Sequence, residues 1–268
     1  MNGLMQAILP PAVLKGCKRI LGKYYTGRYA RWDQAVSNSM GYDADRILDK
    51  VAEAVMKVKS GEAVYERDSV IFDKIEYSFP LLAGLLRVAA LNGGMLDVLD
   101  FGGSLGSTYY QCRGMLSGLK RLRWNIVEQP NFVGRGRKDF STEEIAFYYS
   151  IEECLDSERP DVLVLSSVLQ YLERPHELIG AAMDHGFEHI IIDRTPCIDL
   201  KMDLITVQNV PPEIYRASYP SWLFSTQKLV ERLSEKYSLV AEFPANDSKV
   251  HFRDLLVEFK GFIFEKRK

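Results

Sequence analysis

A chain that alternates short apolar runs with helix-length segments has few ways of burying both, and residues 95 to 193 repeat that alternation five times. The runs are MLDVLDF (95 to 101), RWNIV (123 to 127), IAFYY (145 to 149), DVLVLS (161 to 166) and HIIID (189 to 193). Each but the last leads into a segment long enough for the helix that a right-handed parallel crossover needs. The pattern predicts an α/β fold built on a mostly parallel sheet.

Both flanks differ from this region. Residues 1 to 94 read as a helical lead-in or cap. Ile47, Leu48, Val51, Ala54, Val55 and Val58 recur at helical spacing, with Asp43 or Asp45 as a start signal and Ser60-Gly61 as a stop. A second helix is expected after Ser78 and Pro80, through LLAGLLRVAALN to Gly93-Gly94. Residues 95 to 268 form the second unit. Within it, 194 to 224 are too polar and too punctuated by proline for one helix, and are expected to be a lid or substrate-facing insertion. A helix then starts near Ser225 or Thr226, followed by SLVAEF, a loop with Asn246 and Asp247, and the runs LLVEF and GFIFE. Two closing strands in near succession suggest an antiparallel hairpin at the sheet edge.

Composition excludes several functions. At 268 residues, 47% hydrophobic and 26% charged, the chain can bury a full core without disulfide or metal staples. A net charge of -2 argues against nucleic acid as the partner. Cys17, Cys112, Cys154 and Cys197 are far apart and form no zinc or iron-sulfur spacing, so they are expected to be reduced thiols in a cytoplasmic protein, with no metal site. The opening residues lack the basic start of a signal peptide, and no stretch reaches membrane-span length.

The strongest local signal is DVLDFGGSLGSTYY, residues 97 to 110. A buried strand ends in Asp100, the chain turns on Gly102 and Gly103, and a helix begins around Gly106 and Ser107. Bare main chain can touch a ligand, and the helix points its free amides and positive end at polar or anionic atoms. An ordinary strand-to-helix turn would read similarly. At the end of the second strand, Glu128 is suited to accept hydrogen bonds from ribose hydroxyls, or it is a surface carboxylate. Ser166, Ser167, Gln170 and Tyr171 follow the fourth strand at the carboxyl end of the sheet, where such folds place ligands, while Leu169 and Leu172 suit the core.

DFGGSLG resembles the first motif of class I methyltransferases, with Ser104 where the middle glycine usually stands. Glu128 is similar to their ribose-binding acid, and DVLVLSSVLQYL to their fourth-strand motif, with Gln170 where many have His. The wider set LDFGGSLGSTYYQ, VEQPNFV, SSVLQYLERP, IIDRTPC, VQNVPPEIYRASYPSW, GYDADRIL and YERDSVIFD resembles a bacterial methyltransferase family that occurs with surface-polysaccharide biosynthesis functions. The likeness covers nearly all of the chain after about residue 28. It implies a Rossmann-like core, S-adenosylmethionine as cofactor, and O-methylation of a sugar or glycan intermediate. Gly102, Gly103, Ser104 and Gly106 would then line the methionine and ribose part, with Asp100 beneath. Glu128 would hold the ribose, Gln129 would lie beside the adenine, and Tyr149 and Ser150 would face its edge, with Ser166, Ser167 and Gln170 completing the cofactor side.

Methyl transfer from a sulfonium needs donor and acceptor aligned, and a hydroxyl acceptor also needs a base. His176, Asp193 and Asp68 are the candidates; each has a bland alternative as a surface residue or ion-pair partner. Arg67 and Arg194 could meet an anionic group or form structural salt bridges. Tyr171, Tyr215, Tyr219 and Trp222, with Arg216, suit stacking on a sugar and gripping an anion, or the packing of a lid. His185 and His189 are four apart but Gly186 breaks any helix between them. Residues 1 to 32 carry Lys15, Lys18, Arg19, Lys23, Arg28 and Arg31 and no acid, with Val13, Leu14, Cys17, Ile20 and Leu21 on one helical face. That segment could rest on an anionic membrane or pack on its own domain. Competing readings are an NAD(P)-dependent oxidoreductase, an inactive Rossmann-like binding protein, and a nucleic-acid amino-methylase suggested by NVPPE at 209 to 213 but in the wrong order.

Overall fold

A computed structural model of the chain describes residues 24–41, 44–67, 70–210, 217–245 and 249–268, with backbone only for 44–47. Asp43, Asp68, Tyr215, Arg216 and residues 1–23 of the basic amino-terminal segment lie outside the described residues.

In chain order the elements ahead of the glycine turn are β1 (Tyr25–Tyr29), α1 (Trp32–Ser37), α2 (Ala44–Ser60), β2 (Tyr65–Arg67), β3 (Val70–Phe72), α3 (Phe79–Leu91) and β4 (Met95–Phe101). There follow α4 (Ser107–Leu116), β5 (Arg121–Val127), α5 (Pro130–Asp139), β6 (Ile145–Tyr148), α6 (Ile151–Ser157), β7 (Val162–Ser166), a 3-10 turn (Leu169–Tyr171), α7 (Pro175–His185) and β8 (His189–Ile198). The chain closes with β9 (Leu204–Asn209), β10 (Ser218–Ser225), α8 (Thr226–Ser234), β11 (Tyr237–Pro244), β12 (Val250–Phe252) and β13 (Leu255–Lys266).

The five expected strands become β4 to β8, and they lie parallel in the order β6-β5-β4-β7-β8. Most of their residues are apolar because both faces of the sheet are covered. Val98, Val162, Val164 and Ile191 join one core with α2, α3, α4 and α5. Leu99, Leu163, Leu165, Ile190 and Ile192 point the other way, into a second core with α6, α7 and α8. Period-two alternation thus divides one run between two layers, which is the doubly wound, Rossmann-like arrangement. Beyond β8, β13 runs antiparallel to it and pairs in turn with β11, giving the expected antiparallel hairpin.

Three expectations need correction. The runs LLVEF and GFIFE are not two strands but one, β13, and its hairpin partner is β11. Gly261 between them marks a bulge rather than a turn, because a Cβ there would lie 2.2 Å from the Phe243 ring and 2.9 Å from the Ile192 carbonyl oxygen. Of the stretch expected to be a lid or substrate-facing insertion, residues 194–210 and 217–224 are mostly strand. β8 continues through them to Ile198, and β9 and β10 form a regular antiparallel pair from Ser218↔Asn209 to Leu223↔Leu204. Two of their buried polar residues reach across to the first strand's end of the chain: the Thr206 hydroxyl donates to the Thr26 carbonyl at 2.9 Å, and the Gln208 amide to the Tyr24 hydroxyl at 3.0 Å. Finally, β1 pairs with β9, so one sheet draws strands from both sides of residue 94. Among the described residues no helix is long and apolar enough to cross a membrane.

Candidate cofactor and acceptor site

The turn after β4 is shaped by what cannot fit in it. Gly102 has φ 74°, and a Cβ there would lie 2.4 Å from a Val168 methyl. Gly103 is buried, and a Cβ would lie 2.6 Å from the Asp100 carboxyl carbon. The turn therefore folds down onto Asp100 and Val168, leaving Gly102 and Ser104 half exposed while Gly106, at φ 98°, is buried as the cap of α4. Asp100 is 1% exposed and accepts a hydrogen bond from the Trp124 indole at 3.0 Å. Burial pushes its carboxyl up to about 7, the Trp124 bond opposing and the nearby Glu128 charge reinforcing the rise.

Left-handed backbone is uncommon in residues other than glycine, and it locates the site independently. Of the four such residues among those described, three lie at the carboxyl ends of adjacent strands: Ser104 (φ 55°) after β4, Ser167 (φ 55°) after β7, and Arg194 (φ 53°) where β8 passes its parallel half. Ser167 and β8 are tied together, since the Ser167 amide donates to the Asp193 carbonyl at 2.9 Å. The Gln170 side chain, fully buried, donates to the Ser167 hydroxyl at 3.1 Å, and its Oε1 has no hydrogen-bond partner among the described residues.

Glu128, half buried at the end of β5, turns toward the glycine loop. Its carboxylate accepts the Gln129 amide at 2.7 Å, and the Ser104 amide is near enough to act on it. Burial raises this carboxyl above its usual range, and the two amides counter part of that rise. Gln129 is the exposed cap of α5. Tyr149 is half exposed, with the Arg137 guanidinium 4.6 Å from its ring centre. The Ser150 hydroxyl caps α6 by accepting the Glu153 amide at 3.1 Å, so it serves its own helix.

Beside the turn is a cleft. Tyr65 and Arg67 line it from β2, Ser78 from the start of α3, Ser107, Thr108 and Gln111 from α4, and Ser166, Asp193 and Arg194 from the carboxyl ends of β7 and β8. The sequence pointed to Arg67, Ser166, Asp193 and Arg194 but not to the others. It also missed Glu66, a carboxylate only 2% exposed that accepts the Ser107 hydroxyl at the head of α4. Gln111 braces the same hairpin by donating to the Tyr65 hydroxyl at 3.0 Å. Strands of three residues have no periodicity to read. The polar first turn of α4 next to the glycine loop was the available signal. Arg67 forms an ion pair with Glu76 at 3.5 Å. The Ser166 hydroxyl lies 3.5 Å from the Asp193 carboxylate.

Other expected residues lie elsewhere. His176 does not line this cleft; its Nε2 meets the Asp203 carboxylate at 2.9 Å and its ring packs edge-on against Trp222 and Phe224. Tyr219 and Trp222, three apart on a strand, stand on opposite faces and do not form one sugar platform. Tyr219 meets Tyr171, whose hydroxyl donates to Gln208 at 3.2 Å, while Trp222 stacks on Trp32 and Phe224 and donates to the Leu172 carbonyl at 2.9 Å. No group of three or more His, Cys, Asp or Glu placed to hold a metal occurs among the described residues.

No protein-family model and no curated protein matches the sequence. Among solved structures, the chain is similar to the N-methyltransferase NodS from Bradyrhizobium japonicum WM9 in complex with S-adenosyl-L-homocysteine, at 14% identity and TM-score 0.43 over 73% of this chain and 90% of that one. It is also similar to an S-adenosylmethionine-dependent methyltransferase from Clostridium acetobutylicum ATCC 824, at 11% identity and TM-score 0.47 over 82% of this chain and 99% of the other. A third is the Burkholderia thailandensis 1,6-didemethyltoxoflavin-N1-methyltransferase, at 14% identity and TM-score 0.44 over 85% and 92%. Likenesses of that degree leave function to be argued from the chain's own residues.

Proposed function

We propose that this chain is an S-adenosylmethionine-dependent methyltransferase acting on a hydroxyl of a sugar or glycan, of the kind assembled into surface polysaccharide. The observation that carries the reading is Glu128 at the end of β5, its carboxylate tied to the Gln129 amide at 2.7 Å and close enough to the glycine turn for the Ser104 amide to lower its pKa, beside the partly exposed Gly102 and Ser104. A carboxylate has about four lone-pair sites, so the bond from the Gln129 amide leaves it acceptors for a ribose diol. Gln129 and Tyr149 flank the adenine side, and Gln170 offers a buried acceptor near Ser167. When bound, S-adenosylmethionine supplies an electrophilic methyl group on a sulfonium. The chain's own work is to hold and align, and Asp193, in the cleft wall beside Ser166, is the residue to take the acceptor's hydroxyl proton. The sugar acceptor and its setting follow from the sequence resemblance, and the hydroxyl-rich cleft suits them.

A dinucleotide-dependent oxidoreductase would continue its second mononucleotide half in parallel beyond β8. Here that place is taken by β13, which runs antiparallel.

The test is release of S-adenosylhomocysteine from labelled S-adenosylmethionine in the presence of sugar acceptors. Turnover is expected, and Asp193→Asn is expected to lower it by about a hundredfold or more. Absence of turnover with every sugar hydroxyl offered would end the O-methylation reading.

A further inference from the structure

We infer that α3 is the seat of a symmetric dimer, in which its exposed face packs antiparallel against the same face of a second copy of this chain. The inference does not depend on the methyltransferase reading.

Of the 13 residues of α3 only Arg87 carries a polar side chain. One face is used inside the fold. Leu81, Leu82, Leu85, Val88 and Ala89 are buried, and Gly84 lets the helix press on β8 and β13, since a Cβ there would lie 2.8 Å from Ile191 and 3.0 Å from Ile263. On the other face Phe79, Ala83, Leu86 and Ala90 are all exposed, Phe79 by 65%. Their spacing of four, three and four puts them on one stripe about 60° wide. That is the alternating spacing of a helix-to-helix seam, so the surface is cut to receive another helix. A helix apolar all round is ordinarily covered on every side.

The order of sizes selects the partner. Large and small alternate along the stripe as Phe, Ala, Leu, Ala. With two copies antiparallel about a two-fold axis midway between positions 83 and 86, Leu86 falls on the partner's Ala83 and Phe79 on the partner's Ala90. Every large side chain then meets a small one, and the helices close without gap or clash. A parallel pairing would set Phe79 on Phe79 and Ala83 on Ala83, a bulge next to a void. Charge points the same way. The one charge on α3, Arg87, is held by Glu265 at 2.6 Å. The basic amino-terminal residues Lys15, Lys18, Arg19 and Lys23 find no acid on this helix, and an anionic membrane finds no basic rim along it. Leu91 and Met95 at the helix end, and Met115 on the neighbouring α4, are exposed as well. The apolar surface comes to roughly 500 Å² per copy and about 1,000 Å² for two, where a specific interface begins.

The experiment is sedimentation velocity of the full chain between about 1 and about 200 μM, the range suited to an interface of this size, on wild type, Ala83→Lys, Leu86→Glu and an equimolar mixture of the two variants. Wild type is expected to pass from monomer to dimer as concentration rises. Each variant alone sets an unpaired charge against an apolar side chain of its partner, and is expected to weaken association about a hundredfold or more. In the mixture the two introduced charges face each other, and dimers are expected to return, about tenfold or more tighter than with either variant alone. Should either variant fail to fold, Ala90→Lys and Phe79→Glu make the same test at the outer pair. The inference is overturned if wild type stays monomeric over the whole range or if the single variants dimerise like wild type. It is overturned equally if the mixture stays as weak as its parts, which would give the stripe to another occupant such as the amino-terminal segment.

Discussion

The Trp124 indole on β5 donates to the Asp100 carboxylate on β4 across 3.0 Å, and neither side chain reaches solvent. The bond fixes the carboxyl on which Gly103 rests, since a Cβ at Gly103 would fall 2.6 Å from its carbon. A strand pair deep in the sheet thereby sets the height of the turn that meets the ligand.

Asp100 should make stability depend on pH in the sense opposite to a salt-bridged acid. Its carboxyl is raised to about 7, whereas in the unfolded chain it titrates near 3.8, so between those values the folded state binds the extra proton. The stability this group contributes is fully present below about pH 4 and is lost as pH rises through 7. Asp100→Asn does not titrate. Relative to wild type it is expected to gain on the order of 1 to 4 kcal/mol between about pH 5 and about pH 8. Urea denaturation at the two pH values measures this, and a difference that does not change with pH would contradict it.

At Gly102, Ala should meet two obstacles at once, the backbone at φ 74° and the Val168 methyl 2.4 Å from the new Cβ. The expected loss is about 2 to 4 kcal/mol. Val168→Ala should relieve the second obstacle only, so the double variant is expected to lose less than the sum of the singles, by roughly 0.5 to 3 kcal/mol. Strict additivity in denaturant melts would show that the two do not touch.

Asp203 anchors the region where a base was sought. Burial by itself would raise its carboxyl, but hydrogen bonds from His176 and the Ser225 amide, with His176 and Lys228 beside it, hold it below the usual range. A depressed carboxyl stabilises the fold above its unfolded value, and the contribution fades as pH falls through the folded one. Asp203→Ala is expected to cost about 1 to 3 kcal/mol near neutrality, the gap to wild type narrowing below about pH 4. A gap that persists unchanged in acid would assign the loss to packing instead.

The parallel core was legible because β4, β7, the first half of β8 and the last four residues of β5 are buried on both faces and so are mostly apolar. The far side of the sheet was not. β9 and β10 bury Thr206, Gln208, Ser218 and Ser221, whose polarity reads as loop until the partners that satisfy them, across the strands for Thr206 and Gln208, are known. One of those partners, β1, lies some 180 residues earlier, as the Thr206 bond to Thr26 shows. In the site, Glu128 and the glycine turn stood out because each occupies the end of a strong strand. Glu66 and Tyr65 sit on a hairpin of three-residue strands and acquire meaning only where β2 meets α4. The surroundings of His176 were hidden for a related reason. Its place at the head of α7 is visible in the sequence, but its partners Asp203 and Trp222 meet it through contacts made across the fold.

Titration calorimetry of the chain with S-adenosylhomocysteine and, separately, with NAD, on wild type and Glu128→Ala, tests the central claim most directly. Binding of S-adenosylhomocysteine alone, weakened about tenfold or more by the substitution, is the expected result for a charge-assisted grip on the ribose. Binding of NAD in its place, or S-adenosylhomocysteine affinity indifferent to the loss of Glu128, would contradict it.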